Sequence, residues 1–226
     1  MGFFGIISTI LIYMIFYKFK NNKFIKKIPI IVSVGVSLIC ILKIFKIDYE
    51  TYNISAKYLS FMIAPATIAL AYPMYENSNI LFKNKRAMYP AIIIASIMGV
   101  LLTYFVSMFF RAEHKVILSM LSKSTTMPIA VEISKNLGGY CELTACVVVL
   151  TGLFGGIFGH KILKTLKVKS DVAIGLALGS ASHVIGTSAC VEKKKYKQVA
   201  SSTIGLILVG ILTVIIALAI KKYIVV

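Results

Sequence analysis

The stretch Gly179-Ser180-Ala181-Ser182-His183-Val184-Ile185-Gly186-Thr187-Ser188-Ala189 is small and polar, yet it lies inside a segment, Val172 to Val191, with no Asp, Glu, Lys or Arg. That segment is long enough to cross a bilayer. Its glycines, hydroxyls and single imidazole make poor lipid-facing surface. Backbone at membrane depth loosens only where protein or a water-filled cavity satisfies its N–H and C=O groups. The stretch therefore reads as the wall of an internal site, and a histidine there is a functional candidate.

The rest of the chain agrees with a membrane setting. Its 226 residues are 58% hydrophobic, and the mean hydropathy is +0.89. Several uncharged runs exceed what soluble domains contain. The net charge of +17 would suggest nucleic acid in a soluble protein. Here the cations fall in short runs between apolar segments, so topology and anionic lipid explain them and no nucleic acid is expected. Cys40, Cys141, Cys146 and Cys190 have neither CxxC spacing nor clustered histidines, and read as small buried thiols rather than disulfides or a metal site. No cofactor is expected.

The segments follow in order. Met1 to Tyr17 reads as a first span rather than a cleaved signal, since no basic residue precedes it and no small-residue cleavage site follows. Lys18, Lys20, Lys23, Lys26 and Lys27 then mark a cytoplasmic loop. Ile28 to Phe45 is a second span, and the mixed-charge residues up to Lys57 read as an outer loop. Tyr58 to Tyr75 is interrupted by Pro65 and Pro73, which predicts a broken or kinked helix. Lys83, Lys85 and Arg86 mark a second cytoplasmic loop before the span Ala87 to Phe110, which puts residues 111–115 outside.

In Val116 to Val131, Ser122-Lys123-Ser124-Thr125-Thr126-Met127-Pro128 stops one helix and starts another. Two short helices meeting at a tip are expected, ending near Gly138-Gly139. Leu143 to Gly159 is the next span, its Gly152, Gly155, Gly156 and Gly159 permitting close helix approach. Basic residues 161–169, the opening segment, the run Lys193-Lys194-Lys195-Tyr196-Lys197 and a last span, Val199 to Ile220, complete the chain.

A shift of about 117 residues places the second span on Leu143 to Gly159, Pro65 on Ser182, and Ala87 to Phe110 on the last span. With loops 18–27, 83–86 and 161–169 all cytoplasmic, the copies run in opposite directions and the fifth element is re-entrant. Lys193 to Lys197 then falls outside, against the rule, unless residues 172–191 are themselves re-entrant. Inverted repeats with broken helices are the architecture of secondary transporters, whose half-helices meet at a midplane site. The fold class expected is all-α: a polytopic transmembrane bundle with inverted repeats and broken or re-entrant helices.

Ala64-Pro65-Ala66-Thr67-Ile68-Ala69-Leu70-Ala71, Lys123-Ser124-Thr125-Thr126-Met127-Pro128-Ile129-Ala130 and Gly175-Leu176-Ala177-Leu178-Gly179-Ser180-Ala181-Ser182-His183-Val184-Ile185-Gly186-Thr187 resemble the LrgB/CidB family over nearly the whole chain. The resemblance implies a single transmembrane domain over 1–226, with a first half at 1–110 and a second at 111–226, in the plasma membrane. It implies an antiholin-like protein tied to murein hydrolase activity and autolysis, partnered by a small holin-like LrgA- or CidA-type membrane protein. The family is also similar to the membrane domain of the plastid glycolate/glycerate translocator, and its bacterial members are implicated in movement of small monocarboxylates such as pyruvate. Family members commonly carry Arg shortly after the Gly-Thr pair, where this chain has Ala189, and a second Thr where it has Met127. If that Arg is the usual carboxylate partner, this chain must use another cation or another substrate.

The candidate substrate-binding residues are His183, Ser182, Thr187, Gly186, Lys123, Thr125, Thr126, Pro65 and Thr67. His183 is either a neutral core histidine bonded to a carbonyl or a substrate or proton contact. Lys123 either snorkels outward or is counter-ion to a carboxylate, and its burial decides. The hydroxyls either line the site or bond back to helix carbonyls. Glu132 and Glu192 read as solvated or cap-neighbouring charges. No nucleophile, base and orienting group cluster, and no phosphate-cradling loop is present, so an enzyme is not expected. Two functions stand: a transporter of a small carboxylate, and an interaction protein that controls a holin-like partner. A homo-oligomer is compatible with either.

Overall fold

The computed structural model describes residues 3–19, 30–62, 65, 68–69, 71–76 and 78–224, which hold helices and turns and no strand. The chain forms two compact units, Met1–Ile68 and Ala69–Val226.

In the first unit, α1 (Phe4–Lys18) packs on α2 (Ile30–Ile44) and α3 (Tyr49–Phe61). The first turn of any helix has N–H groups without helical partners. In α1, the Gly5 N–H donates to Ser55 Oγ of α3 at 2.8 Å, and the Thr9 and Tyr52 hydroxyls bond at 2.8 Å. A Cβ at residue 5 would strike the Tyr52 carbonyl, so only glycine allows this approach. Residues 49–57, expected as an outer loop, are therefore helical: their mixed charge hides a small face, Ser55 and Ala56, that packs on α1.

The second unit holds two short helices, α4 (Ala71–Glu76) and α5 (Ser78–Lys83), then α6 (Lys85–Phe109), α7 (His114–Met120), α8 (Met127–Leu137), α9 (Cys141–Thr165), α10 (Asp171–Glu192) and α11 (Tyr196–Ile224). The expected break of Tyr58 to Tyr75 falls partly outside the described residues: α3 ends at Phe61, Pro65, Ile68 and Ala69 are helical, and Pro73 lies within α4. By length and composition α6, α9, α10 and α11 each suffice to cross a membrane.

Two of these elements are hairpins. α7 and α8 meet at a tip, and their far ends adjoin: Tyr140 N–H donates to Ser119 Oγ at 2.7 Å, and the Tyr140 ring lies 5.8 Å from the Lys115 ammonium. Thr144 of α9 fastens this base through Ser119 O at 2.9 Å and Ser134 Oγ at 2.7 Å, a buried hydroxyl knot. α10 is folded as well. Its backbone leaves helical geometry at Ser182 (φ −133°, ψ 17°) and His183 (φ 43°, ψ −133°). A Cβ on Gly186 would strike the Leu178 carbonyl; in a straight helix, positions eight apart are separated by about 12 Å. The legs 171–181 and 184–192 thus fold back, each about 15 Å long, half the hydrocarbon core.

The fold of α10 reverses one expectation. Asp171, at its start, accepts from Gln198 Nε2 at 2.7 Å, and Gln198 lies only just beyond its end. Both legs therefore open at the same end of the unit, and Lys193 to Lys197 emerges beside residues 161–169 rather than opposite them. The start of α6 is there too, since Met88 packs with Leu176 and Ile204, while Val100 and Tyr104 cluster with Ala217 and Val214. α6 and α11 accordingly run the same way. The 117-residue alignment needs them opposed, so the expected inverted pairing of these two spans does not hold; the two hairpins enter from opposite ends, α7–α8 from one and α10 from the other.

Five helix ends share one pattern. Lys46, Arg111, Gly138, Lys167 and Lys194 each take positive φ just past a helix. Each is followed by an N–H that reaches back five residues, as in Ala112 to Ser107 O, Val168 to Leu163 O and Lys195 to Cys190 O. These are Schellman closures, and four of the five use a cation where glycine is usual.

The hairpin reading of α10 makes a direct topological prediction. In a cysteine-free background in membrane vesicles, single cysteines at residues 84, 167 and 194 should react with an impermeant maleimide from one side, and those at 111 and 138 from the other. Labelling of 167 and 194 from opposite sides would mean that α10 crosses.

Candidate functional site

The GxxxG face of α9 lies against the fold of α10. Cβ atoms at Gly152, Gly155, Gly156 and Gly159 would meet His183, Ser182, Ile185 and Leu178 in turn. These glycines let two backbones approach closely, and their place near the middle of α9 sets the depth of the break. Gly175 and Gly179 do the same against Gln198 and Ser202 of α11.

His183 is the brace of this fold. It is 4% exposed, and Nε2 lies 3.0 Å from Val148 O. A carbonyl only accepts, so Nε2 carries the proton. The φ of 43° is a conformation that costs a residue with a Cβ about 1–3 kcal/mol. The imidazole is thus bonded to a backbone carbonyl, and it is not among the residues lining the nearby cavity. Thr187 likewise bonds locally, to His183 O at 3.1 Å and to Ser202 Oγ at 2.5 Å. Gly186 is buried in the fold.

At the other tip, Ser122 Oγ donates to Ala130 O at 3.1 Å and Thr125 Oγ1 to Ser122 O at 2.9 Å. Thr126 is the N-cap of α8 with a proline in the first turn, as expected, but its hydroxyl makes no cap bond and is buried without a partner. Thr125 and Thr126 support the tip rather than line the cavity.

Between the tips lies a cavity of about 800 Å³. One tip contributes Lys123 and Ser124, the other Ser180, Ala181 and Ser182, and the sides are α6 (Met98, Gly99, Leu102) and α9 (Leu150, Thr151, Phe154). Lys123 is the one ionisable side chain in this lining, and it is half-buried. Ser180 Oγ is buried there without a hydrogen-bond partner. The arrangement suits a small anion: one cation, several hydroxyls and apolar walls.

Of the residues singled out by sequence, Lys123 and Ser182 line the cavity, while His183, Gly186, Thr187, Thr125 and Thr126 hold the backbone around it. Pro65 is helical and exposed and belongs to the first unit, and Thr67 lies outside the described residues. Glu132 is exposed and bonded to Asn136, and Glu192 is exposed. Ser124, Ser180 and Thr151 were missed. Ser180 stands within the polar stretch itself, and Thr151 one position before the glycine face. Of the cysteines only Cys190 is buried; Cys40 and Cys146 are exposed, and all four are free.

The LrgB-like family model matches residues 9–222. The chain belongs to the LrgB-like family. An antiholin-like protein LrgB of Bacillus mycoides is 33% identical over 95% of this chain and 93% of its own length. An uncharacterised protein YxaC of Bacillus subtilis is 33% identical over 75% of this chain and 76% of its own, and an uncharacterised protein of Haemophilus influenzae is 37% identical over 80% and 78%. No solved structure matches the chain. This LrgB-like chain is a membrane protein, as its long apolar helices and its family indicate.

Two stability measurements check the geometry. His183→Gly should exceed His183→Ala in stability by about 1 kcal/mol or more, the reverse of the order in a helix, because glycine alone takes this φ freely. Gly155→Val should lose about 1–3 kcal/mol by overpacking against Ser182. Both are read from thermal unfolding in detergent.

Proposed function

We propose that this chain is a multipass plasma-membrane protein that carries small monocarboxylates, of pyruvate or glycolate size, through the cavity between its two hairpin tips. The observation that carries this reading is Lys123, one cation half-buried among hydroxyls and apolar walls with no acidic side chain in the lining. A charge at membrane depth is costly without a partner, and a carboxylate supplies that partner. Ser180, whose hydroxyl is unpartnered, and Ser182, Ser124 and Thr151 would take the carboxylate and substituent oxygens. Lys123 answers the departure at Ala189: the cation comes from the tip of the other hairpin.

The hairpins enter from opposite ends, the arrangement that alternating access uses. The basic end, with residues 83–86, 161–169 and 193–197, faces the cytoplasm under the positive-inside rule. In proteoliposomes, wild-type protein should show saturable uptake of labelled pyruvate. Lys123→Met should lower kcat/KM at least about thirtyfold, the consequence of removing one partner of a desolvated charge pair, and Lys123→Arg should keep part of the rate. Normal flux in a folded Lys123→Met protein would remove the proposal.

A second reading is favoured by the relatives' names. The protein would bind a holin-like LrgA- or CidA-type subunit and restrain murein hydrolase activity and autolysis, as "antiholin-like" implies. It expects a complex that survives mild detergent, whatever the transport assay gives.

A further inference from the structure

At the basic end of the second unit is another concavity, of about 500 Å³, separate from the cavity between the tips. Five lysines surround it from three pieces of chain: Lys164 and Lys167 at the end of α9, Lys169 before α10, and Lys193 and Lys195 after it. Among the described residues, none of the five is in an ion pair or hydrogen bond through its ammonium. Asp171 is the one acid in the lining, and its carboxylate is engaged at 2.7 Å by the Gln198 amide.

The floor is ordered by that amide. Nε2 of Gln198 donates to Asp171, so its Oε1 faces His160, whose Nε2 lies 2.8 Å away and must carry the proton. Nδ1 of His160 is left buried and without a partner. Gln198 is itself 4% exposed. The site is thus a hydrogen-bonded polar floor bordered by five exposed lysines.

Orientation in the membrane requires only that lysines be numerous on one side. It does not require them to converge. Lys161, Lys194 and Lys197 belong to the same basic runs and stay out of the lining, which makes the convergence of the other five a separate observation. Like charges around one concavity repel, and a monocarboxylate, with one charge and two oxygens, would answer few of them. A phosphate offers more charge and three acceptor oxygens to ammonium donors.

We infer that the cleft under the α10 hairpin is a binding site for a phosphate-bearing anion, held by lysines that flank the two open ends of the hairpin and by those at the end of α9. Occupancy pins the two open ends of α10, whose fold forms one wall of the central cavity. The phosphate comes either from a soluble compound or from a lipid headgroup at this surface, and the chemistry of recognition is the same.

The test uses the full chain in neutral detergent at constant ionic strength. Thermal unfolding is followed while inorganic pyrophosphate is added, and in a parallel arm dihexanoyl phosphatidic acid against dihexanoyl phosphatidylcholine. Two triple variants of equal charge are compared: Lys167→Gln/Lys193→Gln/Lys195→Gln in the cleft, and Lys161→Gln/Lys194→Gln/Lys197→Gln outside it. The expected result is a saturable rise in the unfolding midpoint for the wild type and the outer variant, with affinity at least about tenfold weaker in the cleft variant. Hydrogen exchange should slow at residues 167–171 and 193–198 on addition of the same probe. Saturation by pyrophosphate assigns a soluble ligand and saturation by phosphatidic acid alone assigns a lipid. Equal responses of the two variants, or a response to neither probe, would overturn the inference.

Discussion

A helix cannot fold back within hydrocarbon unless the backbone groups freed at the fold find partners in protein. In the second unit this constraint is met by small residues. Glycines of α9 let that helix close on the fold of α10, and Gly175 and Gly179 of α10 itself let it close on α11; side chains fill the remaining gaps: the His183 imidazole bonds the Val148 carbonyl, and the Thr187 hydroxyl bonds back to His183 and across to Ser202. The α7–α8 tip is handled the same way by Ser122 and Thr125, and its base by Thr144, Ser119 and Ser134. Most polar residues that look like site residues in the sequence are spent on making bent backbone tolerable.

The cavity is what that expenditure leaves. Because each tip stops partway along the unit, a space remains between them, walled by α6 and α9 and reached by Lys123 from one hairpin and Ser182 from the other. The site belongs to neither hairpin alone. Its shape depends on the spacing of the tips, and hence on the packing of α10 against the glycine face of α9.

Much of this is legible in the sequence. Uncharged runs locate α1, α2, α6, α9 and α11, and Ser122 to Pro128 gives the α7–α8 tip because a hydroxyl before a proline stops one helix and starts the next. The break at Ser182 is legible too, but its direction is not: a run of twenty-odd uncharged residues has the same composition whether it crosses or doubles back. The basic run after Glu192 carries the answer, since only a doubled-back α10 puts it with the other basic loops. α3 is hidden by its charges, and the roles of His183 and Ser182 depend on backbone rotations at those two residues that leave no trace in composition. Ser180 and Thr151 become visible only once the two tips face each other.

The helix ends carry a quieter consequence. Lys46, Arg111, Lys167 and Lys194 stand in the left-handed position that glycine occupies at less cost. A cation there faces the negative end of the helix dipole, and at residues 167 and 194 it also adds to the charge bias that orients the chain during insertion. The same side chain thus acts twice, first when the nascent chain chooses its sidedness and later when the finished helix terminates. Glycine at those two positions would give a better stop and a weaker sense of direction.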